Sequence, residues 1–66
     1  MPQAAEAEVS RLAQAAILEH GEDAPTFAHR RAAERLRKAD IDGAHHWCVV
    51  SRRAQQILNH MSRERH

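Results

Sequence analysis

Six histidines among 66 residues are the chemical oddity of this chain. His45 and Cys48 stand one helical turn apart and offer an imidazole and a thiolate, a pair of donors that tetrahedral zinc accepts. No further ligands stand at a recognisable spacing, so the two remain a partial set and no metal or other cofactor is expected. The plain alternative leaves His45 in water and Cys48 beside the core as a small hydrophobe. As nucleophile and base the same pair is equally incomplete, because i, i+3 neighbours on one helix bring no oxyanion site with them. Ser10, Ser51 and Ser62 lack an acid and base at any supporting spacing, and no glycine-rich phosphate loop is present, so enzymatic activity is not expected. His46, Arg53 and His60 recur every seven residues along one helix edge, where they would meet carboxylates, an anion or water.

Positioning those residues falls to three helices, since the apolar residues recur at three- and four-residue steps and no strand alternation is visible. The expected fold is all-α, a compact three-helix bundle with helices over about 3–20, 24–39 and 43–62 forming a single domain. Ala5, Val9, Leu12, Ala13, Ala16 and Ile17 make the inner stripe of the first helix, with Ala4, Ala7, Arg11, Ala15 and Leu18 opposite. Gly21 suits the left-handed stop after His20, Asp23 an N-cap, and Pro25 the first turn of the next helix. Ala28, Ala32, Leu36 and Ala39 form a narrow stripe on the second helix, small enough for close helix approach. Phe27 falls off that stripe and is expected to fold back over the hinge onto the first helix.

Asp40-Ile41-Asp42-Gly43 reads as the second break, with Asp42 ahead of Asp40 as N-cap and Ile41 as a staple against the third helix. Trp47, Val50, Ala54, Ile57 and Met61 form the seam of that helix, with Trp47 as the anchor of the core. The last four residues carry no apolar position and are expected to fray.

Charge is uneven beneath a net +1. Through Asp23 the chain carries Glu6, Glu8, Glu19, Glu22 and Asp23 against Arg11, and the basic residues gather beyond it. Either the halves match each other internally or the basic half faces an acidic partner. One cysteine closes no internal disulfide, no apolar run is long enough to cross a bilayer, and the N-terminus lacks a signal-peptide layout. The expected location is cytoplasmic, with no membrane partner.

His20-Gly21, Asp23-Ala24-Pro25, Phe27, Arg31, Asp40, Gly43, Trp47, Val50 and Arg53 together resemble the pattern of a family of short bacterial proteins carrying a domain of unknown function. The resemblance covers about 20–58 and implies an all-helical fold without an activity or ligand residue to transfer. Of its charged positions, Arg31 or Arg53 is expected to pack its stem on the core and to pair with a hinge aspartate, Asp23, Asp40 or Asp42.

The functional expectation is a small protein–protein interaction or regulatory module, self-associating as a homodimer or binding another protein. Leu18, Val49, Arg30, Arg35 and Arg52 are its candidate contact residues. Gly21, Asp23, Pro25, Phe27, Arg31, Asp42, Gly43, Trp47 and Arg53 are assigned structural roles. The alternative is nucleic-acid binding, with Arg30, Arg31, Arg35, Arg37 and Lys38 on phosphates and His45 and His46 early on the third helix. Asp42 in that first turn and a pI near 8.1 weigh against it.

Overall fold

The computed structural model describes residues 2–64, with side-chain surroundings from Glu6 to Arg63. Over these residues the chain is all-α: α1 spans Pro2–His20, a 3₁₀ turn Gly21–Asp23, α2 Ala24–Arg37 and α3 Ile41–Glu64. Burial of Ala4 and Ala5, and the tail residues Arg65 and His66, lie outside the described residues. Arg63 and Glu64 continue α3.

The core is built almost wholly from alanine. Val9, Ala13 and Ala16 of α1, Ala24, Ala28 and Ala32 of α2, and Ala44, Val50 and Ala54 of α3 are buried, and Val50 is the largest side chain fully enclosed. Side chains this small let helices approach closely but remove little apolar area from water each. The larger residues Leu12, Ile17, Phe27, Trp47, Val49 and Ile57 form a half-buried ring around them. Trp47 is therefore at the edge of the core rather than its anchor.

Val9 shares a groove with Val49, and Ile17 another with Leu58, so α1 and α3 run parallel. Pro25 lies against Ser51 while Ala32 lies beside Ala44, so α2 runs antiparallel to α3. The extents are 43 × 27 × 15 Å with a radius of gyration of 12.2 Å. A compact chain of this length would have a radius of about 11 Å. The surface tells the same story: 5304 Å² is exposed, against about 4,200 Å² for a compact monomer of this mass. The expected compactness is not reached, because alanine interfaces bury little and α3 runs on past the start of α2.

Both helix junctions differ in detail from expectation. α2 stops at Arg37 rather than Ala39, because Ala39 takes φ +61° and reverses the chain. The Ala39 N–H donates to the Leu36 carbonyl at 3.0 Å and the Asp40 N–H to the Arg35 carbonyl at 2.8 Å, the paired bonds of a Schellman ending. α3 then begins two residues early, with Asp40 and not Asp42 as its cap. Its Oδ1 accepts the Gly43 N–H at 3.0 Å, the bond an N-cap makes to the third helical residue. A side chain on Gly43 would run into that carboxylate, which accounts for glycine there. Asp42 is left in the first turn, where its charge suits the helix dipole.

Candidate functional site

The large apolar side chains that the alanine core leaves out supply the molecule's candidate contact surfaces. Leu18 is 88% exposed, Ile41 62%, Leu36 58% and Met61 43%. Three of these correct the sequence reading. Leu36 leaves the α2 stripe because α2 meets α3 through Ala28, Ala32 and Ala44, and the leucine is left at the rim. Ile41 is the first helical residue of α3 rather than a staple before it, so it points outward. Met61 lies where α3 has run beyond the start of α2, on the wall of an open depression it shares with Ile17, and stays partly exposed. Leu18 is outward as expected, beside exposed Ala7, Arg11 and Ala15. Val49, expected outward, packs half-buried against the core.

Depressions separate the helices among the described residues. The first, of about 310 Å³, runs between the end of α1 and the far half of α3 and is lined by Ile17, Gly21, Glu22, Leu58, Met61 and Ser62. The second, also about 310 Å³, lies between the start of α1 and α3, where Glu6, Val9, His45, His46, Val49 and Arg53 meet. Here His46 Nε2 is buried without a hydrogen-bond partner, 3.9 Å from Glu8 Oε1. The His46 and Arg53 edge therefore does face α1, and the first carboxylate it meets is Glu8. The third follows the hinge past His20, Asp23, Thr26, Phe27 and Arg30, and the fourth, about 160 Å³, is the apolar hollow of Ala32, Ala33, Leu36, Ala44, His29 and Cys48.

Side-chain chemistry in these grooves is sparse. His45 and Cys48 are both exposed but line different hollows. Among the described residues no group of three or more His, Cys, Asp or Glu side chains gathers to hold a metal. Ser51 is committed, its hydroxyl donating to the Pro25 carbonyl at 2.9 Å.

The hinge is held by rings. Phe27 stacks on His20 with centroids 4.1 Å apart and meets Trp47 edge-on at 6.1 Å. The Arg31 guanidinium lies over the Phe27 ring at 5.3 Å and pairs with Glu34 at 3.3 Å. Arg31 thus makes an ion pair, but with its own helix and not with a hinge aspartate; Arg53 makes none among the described residues. The arginine that reaches a hinge aspartate is Arg35, 3.6 Å from Asp40 Oδ2. Arg35, expected among the partner contacts, instead spans its own turn, in a pair that depends on Asp40 being the cap. Asp23 occupies the cap position of α2 with no side-chain bond.

Of the basic residues on α2 and at its C-cap, Arg31 and Arg35 are engaged, while Arg30, Arg37 and Lys38 make no ion pair among the described residues. Among the described residues no helix is long and apolar enough to cross a membrane. No protein-family model, curated protein or solved structure matches the chain.

Proposed function

We propose that this chain is a small, non-catalytic protein–protein interaction module, a three-helix bundle in the cytoplasm that completes its apolar burial on a protein surface. One observation carries the reading: the alanine core leaves Leu18, Leu36, Ile41 and Met61 outside and the surface about a quarter larger than a compact chain would show. The excess is of the order of the ~800 Å² that each partner contributes to a stable interface. The short bacterial proteins with a domain of unknown function that the hinge residues resemble would then be scaffolds of the same kind.

Affinity capture from a cell extract, with the tagged wild-type chain beside Leu18→Glu and Leu36→Glu variants, tests this reading. A protein, the chain itself included, that the wild type retains and either variant loses supports it; identical retained sets overturn it. Nucleic-acid binding is the second reading, favoured by Arg30, Arg37 and Lys38 on α2 and its C-cap, which make no ion pair among the described residues. Mobility shifts at two salt concentrations decide it, since phosphate contacts weaken steeply with salt. Absence of a shift at low salt removes it.

A further inference from the structure

We infer that the hollow between the middle of α2 and the first turns of α3 is one half of a zinc site, which a second copy of this chain completes to two thiolates and two imidazoles. The inference rests on the interaction reading and gives it a partner, a surface and a ligand.

The hollow, of about 160 Å³, has His29 on its α2 wall and Cys48 on its α3 wall, with Ala32, Ala33, Leu36 and Ala44 around them. Both donors are exposed, and neither side chain makes a hydrogen bond or an ion pair among the described residues. They also stand at one level. Pro25 lies against Ser51, and seven residues on along α2 and seven back along α3 Ala32 lies beside Ala44, so the two helices hold a single antiparallel register. His29 follows Pro25 by four residues and Cys48 precedes Ser51 by three, which leaves them one residue rise apart in height, about 1.5 Å. Spacing along α3 pairs Cys48 with His45, but His45 lines the groove beside α1. The companion the fold supplies is His29, from another helix.

Zinc is held by four donors in tetrahedral sites, and two cysteines with two histidines are one of its usual sets. The chain supplies one of each, and among the described residues no third donor gathers with them. A two-fold axis doubles such a pair and so provides the missing two in the right kinds. The axis lies in the plane of contact and runs across the two helices at the height of His29 and Cys48. It lays α2 antiparallel on the partner's α2 and α3 on the partner's α3, so donors converge only if they stand at the height of the axis, and both do. Ends are exchanged in the same operation. Arg37 and Lys38, past the Leu36 end of the hollow, are carried away from their counterparts and toward the partner's acidic 3₁₀ turn. Leu36, 58% exposed in the single chain, comes under the same contact. On binding, each thiol releases its proton to solvent and coordinates as thiolate, while each imidazole coordinates through an unprotonated nitrogen.

Sedimentation equilibrium of the full chain, kept reduced with a phosphine, tests the site with half an equivalent of zinc and, separately, with a chelator. Zinc is expected to lower the dimer dissociation constant about tenfold or more, by mass action on the state it binds. Native mass spectrometry is expected to find one zinc ion per two chains, and cobalt(II) in its place to show the charge-transfer absorption of thiolate coordination. Cys48→Ser and His29→Ala, both at exposed positions, are each expected to abolish the zinc effect with the helical circular dichroism unchanged, and His45→Ala to leave it intact. A chain whose association zinc does not change overturns the inference, as does a zinc dimer that survives Cys48→Ser or His29→Ala, or one that needs His45. Zinc bound to single chains overturns it too. In each of these cases the capture experiment, run with chelator present, still decides the interaction reading on its own.

Discussion

Gly21 and Ala39 share a left-handed φ, +60° and +61°, one residue after α1 and two residues after α2, yet the chain leaves them by different means. After Gly21 a 3₁₀ turn leads directly into α2, with no side-chain cap on either element. What holds this junction is packing: His20, Phe27 and Trp47 in contact, Arg31 above the ring, and Ser51 bonded to the Pro25 carbonyl. After Ala39 the order is reversed. The junction is closed by main-chain bonds to Arg35 and Leu36, the Asp40 cap on Gly43 and the Arg35–Asp40 pair. One hinge rests on surface removed from water, the other on hydrogen bonds.

The difference predicts which substitution each hinge feels. Phe27→Ala removes the ring from three neighbours at once and is expected to lower the unfolding free energy by about 2–3 kcal/mol, somewhat less than for a fully enclosed phenylalanine. Urea unfolding followed by circular dichroism measures it. A loss below about 0.5 kcal/mol, the size of an ordinary surface change, would mean that the ring is only resting on the hinge.

Aspartate gives the sharper contrast, because the two hinges each carry one at a cap position and only one of them works as a cap. Asp40→Ala should cost about 1–2 kcal/mol through the lost bond to Gly43, with the Arg35 pair adding little at this exposure. Asp23→Ala should stay within about 0.5 kcal/mol, since no side-chain bond is lost. Equal effects at the two positions would erase the distinction between the hinges.

The hinge that could be read from the sequence is the one made of distinctive residue types. Glycine, proline and an aromatic off its own stripe announce a stop, a start and a fold-back, and Phe27 does lie on His20. The second hinge was displaced by two residues because its left-handed position is filled by alanine, which carries no such signal. With Ala39 read as part of α2, Asp40 ranks behind Asp42 as cap and its pairing with Arg35 stays hidden. Helical periodicity located the elements and most of the alanine stripes, but it ranks residues by direction and not by depth. Leu36, Ile41 and Met61 therefore looked internal, and the groove beside Met61 exists only because α3 outruns α2, a relation between elements that no spacing along one helix contains.

Left-handed backbone is where the two junctions can be compared at equal geometry. A side chain on Gly21 would meet nothing within 4 Å, so Gly21→Ala tests conformation alone. It should destabilise by about 1 kcal/mol, the cost of a Cβ in this region. Ala39 already bears that cost, and Ala39→Gly should recover part of it. The gain is smaller than the loss at Gly21, because glycine also makes the unfolded chain freer to move, and about 0.5 kcal/mol of stabilisation is expected. Paired melts of the two variants measure both. Opposite signs would show that the hinges share one backbone requirement and differ in what surrounds it. If Ala39→Gly instead destabilised the fold, the hydrogen-bonded hinge would need more from Ala39 than its left-handed φ, and its methyl group would have to be counted among the contacts that close the turn.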